Sequence, residues 1–203
     1  GPNGSGKSSL LATIMGLPPY QITAGDIVFD GQSLSDMDIQ ARAQLGIGLA
    51  FQRPPSLDGV SVRSFAEALG AESRLDKEAE ALDLTAFLSR DMNVGFSGGE
   101  IKRWEVLKLV LQDPHLLLFD EPESGVDLEH VTAIGDAIAR VVRAPDQQGR
   151  ACSGLVITHT GLILNHVKAD RAHIMRDGQI VHSGDPHNLF THIQSAGYTV
   201  PAA

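Results

Sequence analysis

Gly1-Pro2-Asn3-Gly4-Ser5-Gly6-Lys7-Ser8 stands at the head of this 203-residue chain and fits the pattern G-x-x-x-x-G-K-[ST]. Glycines at these spacings let the backbone curl, so that successive N–H groups converge on an anion. The run from Ser9 to Met15 reads as a helix whose positive end adds to the same field. The stretch Gly1 to Ser9 therefore predicts a cradle for nucleotide phosphates. Lys7 is expected to reach the β- and γ-phosphates, and the Ser8 hydroxyl to ligate Mg2+. Loops of this kind follow a buried strand, and no residue precedes Gly1 here. The reading thus expects the first strand, and a side chain against the adenine, to come from a segment outside these 203 residues.

Working outward, Leu116-Leu117-Leu118-Phe119-Asp120-Glu121 is an apolar strand that delivers two carboxylates at its C-terminal end. Continuous apolar runs mark strands buried on both faces, as in parallel sheets. Nucleotide sites in open α/β sheets lie at that end of the strands. Asp120 is expected to hold Mg2+, and Glu121 to polarise an attacking water as general base.

The remaining segments alternate. Gly25 to Gly31 reads as a strand closed by an Asp-Gly turn, and Ile47 to Phe51 as a second strand. From Val60 to Leu88 apolar residues recur at helical spacing, which marks a candidate subdomain. Glu100 to Leu111 reads as one amphipathic helix stopped before Pro114, and Leu128 to Val142 as another helix. Leu155 to Thr158 is expected to be a third buried strand. Ala172 to Gly184 reads as a hairpin turning at Asp177-Gly178, followed by a helix capped by Asp185-Pro186. Strands alternating with helices predict an α/β sheet sandwiched by helices.

Composition narrows the classes. A net charge of −9 argues against nucleic acid as a partner. No apolar stretch reaches the ~20 residues that a membrane helix needs, so no direct membrane insertion is expected. A single cysteine, Cys152, allows no internal disulfide and fits a reducing cytoplasmic setting. Nor could one cysteine hold an iron–sulfur cluster.

Phe96-Ser97-Gly98-Gly99-Glu100 opens the helix that follows it with a hydroxyl and free N–H groups, a second anion site. The stretch resembles the signature motif of the ABC ATPases, usually LSGGQ, with Glu100 in place of Gln. Other marks of that family stand in order: Gln52 after Leu49-Ala50-Phe51, Ser124-Gly125-Val126-Asp127, and His159 after Val156-Ile157-Thr158.

The resemblance implies a P-loop NTPase of ABC type: a RecA-like core over 1–56 and 104–203, antiparallel β elements, and a small helical subdomain over 57–103 that ends in the signature. It implies an ATPase that uses ATP and Mg2+ and works as an ATP-dependent homodimer. Gln52 would sense Mg2+ and the attacking water, His159 would contact the γ-phosphate, and Asp127 would cross the dimer interface. Ser97, Gly98, Gly99 and Glu100 would meet the other copy's nucleotide.

Within that family the chain is similar to the SufC ATPases of iron–sulfur cluster assembly. Asn93 to Glu100 followed by Lys102-Arg103, Glu123 to Asp127, and Gly178 to Asp185 carry this likeness. It implies docking on SufB- or SufD-like scaffold proteins through the face beside Gln52 and residues 57–90. The ATPase subunit of a membrane transporter is the competing reading, since it shares the same site. Repair-type ABC ATPases carry long arms between Gln52 and the signature, and only about 45 residues lie there, too few for a coiled coil.

Overall fold

The computed structural model describes residues 1–52, 54–143, 149 and 152–199. Along the chain run α1 (Lys7–Met15), a short hairpin of β1 (Val28–Phe29) and β2 (Gln32–Ser33), α2 (Ile39–Gln44) and β3 (Ile47–Ala50). Next come β4 (Leu57–Ser61), α3 (Val62–Ala68), α4 (Glu72–Ala81), β5 (Asp91–Met92), α5 (Gly98–Gln112) and β6 (Leu116–Asp120). The chain continues through α6 (Leu128–Arg143), β7 (Ser153–Ile157), β8 (Ala172–Arg176), β9 (Gln179–Gly184) and α7 (Pro186–Ala196). No helix of the described residues is long and apolar enough to cross a membrane.

β6 is the middle of the sheet, paired in parallel with β3 on one side and β7 on the other. Its side chains alternate across the two faces. Leu117 and Phe119 join a core with Trp104, Ile134 and Ile138, while Leu118 joins one with Leu11, Ile47 and Leu49. Helices cover both faces, which is why the strand reads as an unbroken apolar run. Each leucine buried in this way contributes roughly 1.5–3 kcal/mol. The α/β architecture expected from the alternation of segments is thus the one observed.

Three readings need correction. Leu155 to Thr158 is not fully buried: β7 is Ser153–Ile157, Ser153 and Gly154 are exposed, and only Ile157 is buried. Among the described residues β7 pairs with β6 alone, so its other edge is less covered.

The helical stretch begins at Val62, not Val60, because Leu57–Ser61 pairs antiparallel with Asp91–Met92. It then breaks at Gly70 (φ 65°) and Asp83 (φ 51°), two left-handed turns that no helix continues through. Finally, α5 is not amphipathic. Every residue from Lys102 to Leu111 is buried, charged ones included, because the helix is enclosed on all sides.

The phosphate-loop helix is closed by a residue from elsewhere. Arg42 is 5% exposed and donates to the carbonyls of Thr13 and Ile14, the last turn of α1, and to those of Leu34 and Met37. A helix end leaves such carbonyls unsatisfied, and a buried guanidinium supplies donors in one fork. Arg42→Ala is expected to cost about 3 kcal/mol or more, since several buried carbonyls lose partners together. Urea denaturation of the two proteins measures this.

Candidate functional site

The loop before α1 curls through left-handed glycines, Gly4 (φ 77°) and Gly6 (φ 97°). Without a Cβ these positions carry no steric penalty there. Lys7 folds back over the loop. Its Nζ donates to the carbonyls of Gly1 and Pro2, both at 2.8 Å, and to Ser5 Oγ at 3.4 Å. Burial lowers the Lys7 pKa, and the nearby Glu121 and Asp120 carboxylates oppose that shift. Asn3, Gly4 and Ser8 are exposed, so the loop presents an open face. From behind, the β8–β9 hairpin seats on it: Gly178, in the turn expected at Asp177-Gly178, donates its N–H to Ser5 O at 3.0 Å.

The carboxylate pair sits at the end of β6. Asp120 is 9% exposed, and its Oδ1 is buried with no hydrogen-bond partner. A buried carboxylate oxygen left without a donor fits a cation. Glu121 leaves the strand in a left-handed conformation, φ 52°, rare for a residue with a side chain. Its Oε1 lies 2.7 Å from His159 Nε2, and its Oε2 accepts from Gln52 Nε2 at 3.4 Å. Gln52 and His159, from two separate segments, therefore converge on one carboxylate whose charge acts on Lys7.

The signature residues form a separate group. Ser97 caps α5 in a reciprocal box: its Oγ accepts from Glu100 N, and Glu100 Oε2 accepts from Ser97 N at 2.7 Å. Gly98 and Gly99 face open space, with nothing near where a Cβ would project. Among the described residues no hydrogen bond joins Ser97–Glu100 to the phosphate loop. Asp127 starts α6. Its Oδ1 accepts from His130 N at 3.1 Å and contacts His130 Nδ1 at 2.7 Å, and those two hydrogen bonds lower its pKa.

Three buried charges around the site were not read from the sequence as its parts. Lys102 Nζ donates to the carbonyl of Glu121 at 3.0 Å and lies 3.5 Å from that of Asp120. Burial lowers the Lys102 pKa, against the pull of Asp120, Glu121, Glu105 and Glu123. Glu105, 2% exposed, accepts from Phe51 N at 2.6 Å and from Lys108 at 2.7 Å, which fixes the backbone just before Gln52. Glu123 receives the hydroxyls of Thr158 and Thr160, on either side of His159. The helical spacing of Lys102 and Glu105 on α5 gave no sign that the helix is enclosed.

A cleft of ≈ 520 Å³ lies next to the phosphate loop, between β7, β8 and α7. Its walls are largely apolar, with Leu155, Val156, Met175, Leu189 and Phe190, and Lys7 and His159 also line it. Gln52, Asp120 and Glu121 are not among its lining residues.

A phosphate loop on a parallel α/β sheet, with an acidic pair at the end of the adjacent strand, defines a phosphate-loop NTPase. The chain belongs to the ABC transporter family, whose sequence model matches residues 1–124, and it is an ATP-binding and ATP-hydrolysing cassette. It is 35% identical over 213 residues to a probable ABC transporter ATP-binding protein of Streptococcus pyogenes, covering 98% of this chain and 80% of that protein. It is 38% identical over 215 residues to a probable ATP-dependent transporter of Synechocystis, covering 98% and 81%. In fold it matches the crystal structure of a nucleotide-free ATP-binding cassette from an ABC transporter, with a TM-score of 0.74 and 22% identity over 98% of this chain and 86% of that one.

Proposed function

We propose that this chain is a cytoplasmic, SufC-like ATPase that pairs head to tail with a second copy on ATP and drives a conformational change in an iron–sulfur assembly scaffold of SufB or SufD type. The observation that carries the hydrolytic part is the convergence of His159 and Gln52 on Glu121, beside Lys7. In this reading Gly1 to Ser9 cradle the phosphates and Lys7 neutralises the terminal ones. Glu121 orients and deprotonates water for in-line attack, held by His159 and Gln52. Asp120, Ser8 and Gln52 would hold Mg2+, which neutralises charge on the transferring phosphate. The orphaned Oδ1 of Asp120 supports that donor set.

Pairing is supported by the openness of both halves. The phosphate loop of one copy is exposed, and Gly98 and Gly99 leave the start of α5 accessible. In the closed pair Ser97, Gly98 and Gly99 reach the neighbour's γ-phosphate, Glu100 holds that helix start in shape, and Asp127 lies at the seam. Hydrolysis removes the shared contacts and the pair opens.

The scaffold assignment is supported by the residues from Asn93 to Arg103 and from Glu123 to Asp127, which resemble SufC more than transporter cassettes. Service to a membrane permease is the second reading, favoured by the transporter names of the relatives. Affinity purification of the tagged protein separates them. Recovery of a soluble scaffold that raises ATP turnover supports the first, and recovery of a permease overturns it. In the same assay, chelating Mg2+ with EDTA is expected to abolish phosphate release, and restoring Mg2+ to recover it.

A further inference from the structure

Glu123 is 4% exposed, yet it lies on the turn between β6 and α6, where a carboxylate would ordinarily face water. Its Oε1 accepts the hydroxyls of two threonines from the loop after β7, Thr158 and Thr160 at 3.1 Å. Each hydroxyl also accepts a backbone N–H: Thr158 Oγ1 from Gly161 at 2.9 Å, and Thr160 Oγ1 from Leu162 at 3.2 Å. With an amide already donating to each oxygen, each hydroxyl proton is directed at Glu123. His159 sits between these two anchored residues, its Nε2 at 2.7 Å from Glu121. Glu123 is also tied to the turn that leads to Asp127, since Val126 N donates to its carbonyl at 3.3 Å.

We propose that Glu123 is a positioning residue: it clamps the loop on both sides of His159 and so sets the imidazole against Glu121, in register with the Asp127 turn. This rests on the reading of Glu121 and His159 as hydrolytic groups. A carboxylate can take both hydroxyl protons on one oxygen, whereas an apolar side chain leaves both hydroxyls without that acceptor and frees the loop. Chemistry that depends on aligned groups loses up to about 100-fold when one of them shifts by ~1 Å. Among the described residues none of the hydrogen bonds of Glu123 involves the phosphate loop, so nucleotide affinity should change little with it.

The test is a mutant cycle on the full-length protein with ATP. Glu123→Ala is expected to lower kcat by about 10–100-fold with KM for ATP held within about twofold. Glu123→Gln, whose amide oxygen still accepts, is expected to recover most of that loss. In the His159→Ala background, where single-turnover phosphate release gives the rate, Glu123→Ala should have no further effect. The His159 ring resonance in 1H–13C spectra should move in Glu123→Ala and return in Glu123→Gln.

An additive loss in the His159→Ala background, an unmoved ring resonance, or a raised KM with unchanged kcat would each overturn the proposal. If Glu123→Ala does not fold, Thr158→Val with Thr160→Val cuts the same bonds from the other side and the cycle is run on that pair. Full turnover by Glu121→Gln would instead overturn the hydrolytic reading, whatever the cycle shows.

Discussion

Glu121→Gln is expected to hold the ATP-bound pair closed while turnover falls by roughly 10²–10⁴-fold, the range that general-base catalysis supplies. The substitution keeps the shape of the side chain and removes its capacity to take a proton. The contacts to His159 Nε2 and Gln52 Nε2 involve the two carboxylate oxygens. An amide retains one acceptor, so the site should stay assembled around bound ATP. It also removes a negative charge from beside the phosphates, which favours retention of the nucleotide. Phosphate release and size-exclusion chromatography with ATP provide the measurement. A persistent monomer, or turnover near that of the parent protein, would contradict the assignment of Glu121.

Lys7→Ala is expected to weaken ATP binding by about 100-fold, the loss of one strong charge-assisted contact. The ammonium is held by the carbonyls of Gly1 and Pro2. A triphosphate would draw it away from these weaker partners. The same residue gives ATP affinity a pH dependence of definite sign. Burial lowers the pKa of Lys7 in the free protein, and a bound polyanion would raise it. Binding should therefore be full below the lowered pKa and decline as pH rises through it, earlier than for an ordinary lysine. Calorimetric titration of ATP against both proteins across alkaline pH reads both effects. Unchanged affinity in Lys7→Ala would contradict the phosphate-loop assignment.

What could be read directly from the residues was local. Gly1 to Ser8 carries its own geometry, because the glycines and the following helix start are adjacent in sequence. Leu116 to Glu121 likewise announces a buried strand with its charges at one end. The hairpin at Asp177-Gly178 follows from two residues that tolerate positive φ, here 49° and 79°. Long-range pairing was not legible. Glu105 and Phe51 are 54 residues apart, and nothing in either neighbourhood points to the other. The charges of α5 have the spacing of a wet helix face, but each finds a partner inside: Arg103 at the carbonyls of Leu82 and Asp83, Lys108 at Glu105. The same limit hid Glu123, whose partners lie two segments away.

The enclosure of α5 has a mechanical consequence. A rod gripped from Lys102 to Leu111 cannot bend or slip privately. At its head stands Ser97; one turn in, Lys102 grips the carbonyls behind Glu121; a further turn on, Glu105 grips the amide before Gln52. In the proposed pair a push on the head would reach both places in one stroke, gearing the seating of one molecule's nucleotide to the readiness of the other's water.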